Sequence, residues 1–579
     1  MADNIDIAVD IQRRYQDCIN RRIDLIRRMD DDFELWRLSD YALNNDIYKD
    51  LKLGEYDRII SNKPAVLAND VIETLSDSKI FFTYPIDTEK SRDEKEKLSI
   101  TERFVYGCFN AADMQLLAYG LPGVQSLLAW HATLRGWIGI RALFVGDKND
   151  IRPDIAVWDM RNVAYGYGKN GLAWATYRKI TTKEQAEDEY GQTFEDDGQG
   201  RVSIYDNWND ETETVVVDNK VVHKLEHGIG RIPVHIGAVG STPPIQSDVN
   251  DTLVTQGESI FANNRTTYPS INRMLSYYMT TVGIGTRTPT VVYYEGDKPP
   301  DMPDNPYVKG NTIFLRKDKQ EVKEFFKPTM PDDAARMLST LMGFESQGGI
   351  APIALGEINQ ALPAAGINIL TNSALKKITP RKRTIERAMQ WAAMELIRQY
   401  KNGHYGDMTL QGTDSLNYDF TIKAKPSDLI DDRIIHCSVN PKMPQDELQN
   451  AGIAAQLASG PNPVLSRQTV QDKYLNILDT DAEMARIRVE QGEADEFVRN
   501  LMTAKDMIDA KEYGAAEAFT MKAMISIGQV RQQAQQMMQS RQMPPVAGVP
   551  RGALPTGGIP GNPQADTERM QRIGLVRGQ

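Results

Sequence analysis

His223-Lys-Leu-Glu226-His227 has the HxxEH spacing with which one class of zinc peptidase holds a metal between two imidazoles and activates water with a carboxylate. That chemistry needs both imidazoles on one face of a helix. The surrounding residues, VVVDNKVVHKLEHGIGRIPVHIG, are β-branched and glycine-rich. They predict a strand ending in a turn, with His223 and His227 on one face and Glu226 pointing away. His235 is close in sequence but adds no ligand spacing. Gly166-Tyr-Gly168-Lys-Asn-Gly171 matches GxGxxG, which meets a pyrophosphate only when a strand precedes it and a helix follows. Here LAWATYRKI follows, so a hairpin turn is expected. No GxxxxGK[ST] loop is present, and the scattered Ser, His and Asp form no nucleophile elbow. Six histidines in 579 residues leave few imidazoles for acid–base or metal chemistry. The expectation is a protein with no catalytic, metal or cofactor site.

A second constellation is cationic: Lys376, Lys377, Arg381, Lys382, Arg383 and Arg387 flank Pro380. Such a cluster is either a solvated helix face paired with acidic neighbours, or a face that meets phosphates or bridges subunits. It stands in an acidic chain, with 67 Lys and Arg against 79 Asp and Glu and a formal charge of −12. That balance argues against a broad basic surface gripping nucleic acid, though not against one that surrounds it loosely. Three well-separated cysteines fit neither a disulfide framework nor a zinc module and read as a reducing compartment. The acidic N-terminus lacks an apolar leader, and no stretch approaches the ~20 apolar residues of a membrane span, so no membrane partner is expected.

The elements that must carry these residues follow from periodicity. Residues 8–48 read as a solvated amphipathic helix, Val66 to Leu75 as a helix, 89–98 as a solvated face or loop, and 99–130 as helical again. From Ile138 to Val239, short β-branched and aromatic runs separated by Gly-Asp, Asp-Asp-Gly and Asp-Asn-Lys turns predict an antiparallel β region with one helix near 182–190. Apolar residues from Leu253 to Val282 recur at helical spacing, with Pro269 as a kink or a new first turn. Strands return over 288–328, and a short helix over 332–346 carries Ala334, Met337, Leu338 and Leu341 on one side. Residues 347–366 hold too many Gly and Pro for a regular element. Residues 367–402 read as one long helix bent at Pro380, with Ile385, Ala388, Ala392 and Leu396 on its core face and Gly403 at its end. One strand (LNYDFTIKA) and helices over 444–540 follow, and the Pro/Gly-rich end is expected to be disordered.

This order of elements resembles the portal proteins of tailed double-stranded DNA bacteriophages. IGRIPVHIGAVG (229–240) and AGINILTNSALKKITPRKRTIERAMQWAAMELI (365–397) carry the resemblance best, and it covers roughly 40–540. It implies an α+β multidomain chain: an N-terminal wing over 1–246 (helical over 1–135, β-rich over 138–240), a first stem helix over 247–287, a clip over 288–328 and a second stem helix over 329–346. A tunnel loop over 347–366, a kinked wing helix over 367–403, a return strand and linker over 404–443, a helical crown over 444–542 and a disordered tail over 543–579 complete it. The implied function is a ring of twelve copies at one capsid vertex, through which DNA passes in packaging and ejection. The implied partners are further copies of the chain, the DNA, the terminase motor, the tail adaptor and the major capsid protein. The implied place is the virion, after assembly in the host bacterial cytoplasm.

Under that resemblance Ile350, Ile353, Leu355, Ile358, Asn359, Gln360 and Leu362 would line the channel. Lys376, Lys377, Arg381, Lys382 and Arg383 would meet DNA or a neighbouring subunit, and Tyr293, Tyr294, Phe314, Phe325 and Phe326 would pack between clips or against the adaptor. The alternatives are another head or tail structural protein, or a zinc hydrolase using His223, Glu226 and His227.

Overall fold

A computed structural model of the chain describes residues 2–39, 58–84, 92–147, 150–240, 256–286, 290–295, 312–317, 332–350, 364–403, 405–414, 418–431, 433–440, 496–509 and 517–525, with the single positions 487 and 514. The chain forms two compact units, Met1–Gly452 and Ile453–Gln579. In the second unit, α10 (Glu496–Asp509) and a helical stretch over 517–525 fall inside the expected crown, while the expected tail lies outside the described residues.

The first unit opens with α1 (Ala2–Arg21) and α2 (Ile23–Trp36), which meet at Arg22. Their buried positions Ala8, Ile11, Tyr15, Cys18, Arg22, Leu25, Met29 and Asp32 recur every three or four residues across the break. The amphipathic helix expected over 8–48 is thus two helices, with 40–48 outside the described residues, and its buried stripe takes in the charged Arg22 and Asp32 as well as apolar residues. Arg22 reaches inward because its guanidinium donates to the Val163 carbonyl at 3.0 Å and lies over the Tyr165 ring at 4.6 Å.

The β region is antiparallel, as its turns predict. β2 (Trp137–Asp147) pairs with β3 (Asp150–Trp158) and β9 (Val234–Ala238) in a three-stranded sheet. β4 (Val163–Gly168), β5 (Gly171–Thr182), β6 (Arg201–Trp208), β7 (Thr212–Val217) and β8 (Lys220–Glu226) form a five-stranded meander. Asp218 and Asn219 join β7 to β8 with φ of 47° and 58°, the double left-handed geometry of the tight hairpin that Asp-Asn favours. The expected helix near 182–190 is present as α6 (Lys183–Tyr190), capped by the Thr182 hydroxyl.

β2 alternates between two cores. Ile138, Ile140 and Ala142 join the main core, while Trp137 and Leu143 pack toward the five-stranded sheet with Trp158, Val163, Trp208 and Ile236. The main core gathers α3 (Lys63–Ser76), α4 (Arg92–Ala118), α5 (Val124–Trp130) and the π turn His131–Arg135. α4 begins at Arg92, so of the two readings of the charged run, a solvated face or a loop, the part from Arg92 onward is helix. Two strands escaped the sequence reading because their partners are distant: β1 (Lys79–Thr83) pairs with β14 (His436–Asn440), more than 350 residues later. The single strand expected after residue 403 is one arm of a hairpin, β12 (Met408–Thr413) with β13 (Asp419–Ala424).

Beyond β9 the chain makes a helical excursion. The first stem helix, expected over 247–287, is shorter: residues 256–266 form turns, and α7 runs Thr267–Thr286 with Pro269 in its first turn, where a missing N–H costs nothing. β10 (Thr290–Tyr294) and β11 (Thr312–Arg316) follow and pair in parallel, so they are not a hairpin. α8 (Asp332–Gly348) returns beside α7: Asn264, just before α7, donates to the Glu345 carbonyl near the end of α8 at 2.9 Å, so the two helices run antiparallel. Leu341 is buried on α8, whereas Met337, one turn earlier on the same side, is 52% exposed. The long helix α9 spans Ala364–Asn402, starting three residues before the expected 367 and containing Pro380. Its expected core face, Ile385, Ala388, Ala392 and Leu396, is fully buried.

Candidate functional site at the junction of the excursion and the long helix

The turns over 256–266 carry the chain from the sheets into α7, and close backbone contact fixes where they start. Gly136 and Gly257 both have positive φ, and a Cβ on Gly136 would sit 1.8 Å from the Gly257 carbonyl oxygen. Neither position accepts a side chain. Trp137 Nε1 donates to the Gln256 carbonyl at 3.1 Å, and Arg28 donates to the Gly257 carbonyl at 2.9 Å. Glu258 is thereby held beside Arg28 (3.4 Å) and Arg265 (3.0 Å), and Arg265 grips the 1%-exposed Asp32 through two bonds of 2.7 and 3.0 Å. Buried charge of this kind is tolerated only when fully paired. Asp32 and Glu258 spend their charge on Arg28 and Arg265.

The basic cluster of α9 does not act as one patch. Lys376, Arg383 and Arg387 are exposed, and their spacing puts them along one side of the helix. Lys382 is 3.6 Å from Glu386. Lys377 and Arg381 turn inward, and this corrects their reading as free contacts for DNA or a neighbour. The Lys377 ammonium donates to the carbonyls of Gln347 (3.0 Å), Gly348 (2.9 Å) and Gly349, so it caps the C-terminal end of α8, where the helix dipole favours a cation. Arg381, 6% exposed, donates to the carbonyls of Lys377 at 2.8 Å and Glu258 at 3.3 Å. Burial, only partly offset by Glu258 and Asp32, lowers its pKa to about 10, and burial also lowers that of Lys377.

Ile350 was expected to line the channel. It is 7% exposed and belongs to the main core, and this too is a correction: an apolar residue so close to the Lys377 cap is drawn into the body. Ile353, Leu355, Ile358, Asn359, Gln360 and Leu362 lie outside the described residues, as do Phe325 and Phe326. Tyr293 and Tyr294 stand on β10, with Tyr293 52% exposed, and Phe314 stands on β11 opposite Val292.

The histidine motif is on β8, where His223 and Glu226 are exposed. His227 lies just past the strand with both ring nitrogens engaged: Nε2 with the Asn209 carbonyl at 3.0 Å, and Nδ1 accepting from the Ile229 N–H at 3.1 Å. It packs beside Trp208, with ring centroids 5.6 Å apart. His227 serves the turn, and the motif does not form a pair of imidazoles on a helix face. Gly168 and Gly171 close the β4–β5 hairpin, as expected of the GxGxxG match. His235 stacks on Trp391 of α9 at 5.5 Å; burial and nearby Arg387 lower its pKa to about 4. Among the described residues, no three His, Cys, Asp or Glu converge as a metal would require, and no helix is long and apolar enough to cross a membrane.

The sequence reading missed Arg28, Asp32, Glu258 and Arg265. The available signal was charge at stripe positions of α2, which periodicity alone assigns to the buried face. No protein-family model matches this chain, and no curated protein matches it.

Proposed function

We propose that the chain is a portal protein of a tailed double-stranded DNA bacteriophage, acting as a ring of copies at one capsid vertex. DNA passes through the ring in packaging and ejection, and the ring docks the terminase motor and the tail adaptor. The observation that carries this reading is the excursion from Thr267 to Gly348, two antiparallel helices joined through a small parallel strand pair and followed by a 39-residue helix anchored in the core. At 1.5 Å per residue, α7 reaches roughly 30 Å and α8 roughly 25 Å. Both carry apolar groups that their own pairing leaves in water: Tyr278 (43%), Met279 (43%) and Val282 (42%) on α7, Met337 (52%) and Phe344 (54%) on α8. Apolar groups gathered on one feature mark an interface. A heterologous contact repeated around an axis covers them in every copy and closes into a ring.

Net charge supports passage over binding. Each phosphate neutralised by a fixed cation adds salt-sensitive affinity, which a conduit must avoid, and the chain is at −12. Native mass spectrometry over a range of protein concentrations tests the assembly. The expected result is one large closed oligomer that Val282→Asp with Phe344→Asp converts to monomers with unchanged circular dichroism. A wild-type protein that is monomeric at every concentration removes the reading.

A further inference from the structure

The turns over 256–266, the end of α8 and the proline turn of α9 border an open cavity of about 270 Å³. Its wall includes Lys377, Arg381, Ser259, Asn263 and the backbone of Gly348 and Gly349. Glu258 also lines it, but that carboxylate is already held by Arg28 and Arg265. The Arg381 Nε, buried with the rest of the side chain, has no hydrogen-bond partner. Among the described residues, no carboxylate lies within 4 Å of the Arg381 guanidinium or the Lys377 ammonium; carbonyl oxygens alone receive their protons. Arg381 is buried and Lys377 half-buried beside this cavity, and with Glu258 and Asp32 only partly offsetting the burial of Arg381, added negative charge would lower the cost of holding both cations here.

We propose that this cavity binds a small tetrahedral oxyanion of the phosphate class, which adds the direct counter-charge that no carboxylate among the described residues gives Arg381 and Lys377. The volume holds such an ion with several waters. Arg381 Nε offers one donor. Ser259 offers another, because its Oγ already accepts from the Phe261 N–H at 3.2 Å and leaves its own O–H to donate. Asn263 is exposed and stands at the mouth. Burial depresses the pKa of both cations, and a bound anion would reverse that cost. The inference stands apart from the ring: it needs only the fold of one chain.

Thermal unfolding of the full chain, titrated with inorganic phosphate at fixed ionic strength, reads the site directly. A ligand that binds only the folded state raises the midpoint saturably. The expected result is a saturable rise whose apparent affinity falls at least about tenfold in Arg381→Gln, the loss expected when about 1.4 kcal/mol or more of binding energy is removed. Asn263→Glu, a change at an exposed position that keeps Arg381 in place, should weaken phosphate to a similar degree by repulsion. A short blunt DNA duplex forms the second arm. Displacement of phosphate by the duplex assigns the occupant to backbone phosphate, and its failure to displace assigns the site to a free anion. No saturable rise in the wild type, or full phosphate affinity in Asn263→Glu, overturns the proposal.

Discussion

Arg141 on β2 faces three carboxylates at the seam between the two sheets: Asp154 of β3 at 2.6 Å, Asp206 of β6 at 3.1 Å, and Glu213 of β7 close by. One cation cannot neutralise three. Burial and the charge of Asp206 push the Glu213 pKa up to about 7 from an ordinary 4.5, and burial pushes Asp206 up as well. A carboxyl whose pKa is raised by folding binds more protons in the folded state between those two values, so stability falls as pH rises from about 4.5 to about 7 and is flat above. Glu213→Gln should flatten that slope and stabilise the protein at pH 8 by about 1–2 kcal/mol, after discounting for a half-buried group. Urea midpoints at pH 5 and pH 8 measure it. A variant less stable than wild type at pH 8 would contradict the account. His223→Ala and Glu226→Ala, both at exposed positions of β8, should change stability by no more than about 0.5 kcal/mol. Stoichiometric zinc in the purified protein, lost on His223→Ala, would restore the hydrolase alternative. At this scale the sequence was legible for turns, where Asp218-Asn219 dictates its own geometry. It was opaque for Arg22, Arg28, Asp32, Lys377 and Arg381, since a charged side chain reads as solvated until its partner from another part of the chain is in view.

At the scale of elements, the periodic helices were legible and the non-local strands were not. The core face of α9 could be read directly because its apolar residues follow one helical stripe. β1 and β14 are five residues each and find each other across the whole first unit, so neither carries a local signal. The start of α7 was misread because apolar residues from Leu253 onward continue a helical rhythm through segments that are turns over 256–266. The parallel pairing of β10 and β11 alters what removal of part of the connecting segment would do. Parallel strands need a crossover of about a dozen residues or more. Deleting 297–308 leaves too little chain to return from the end of β10 to the start of β11, so the pair should separate while the main core stays folded. Amide hydrogen exchange would show loss of protection confined to 290–294 and 312–316. Retained protection there, or loss spreading into β2 and α9, would contradict this topology.

The whole molecule poses a question that one chain's packing cannot answer by itself: what covers the helical excursion. α7 and α8 satisfy their backbones internally and one another's inner faces, yet Tyr278, Val282, Met337 and Phe344 remain in water. The junction beneath them is the opposite, with Lys377 capping α8, Arg381 bridging α9 to the 256–266 turns and Ile350 seated in the core. An excursion held firmly at its base, with these apolar groups left in water on its outer sides, is suited to standing beside copies of itself around an axis. Electron microscopy of the purified full-length protein tests this most directly. The account predicts end-on class averages showing a closed ring, with a central channel wide enough for a DNA duplex and α7 and α8 at the subunit contacts. Monomers, or closed assemblies without an open channel, would contradict it.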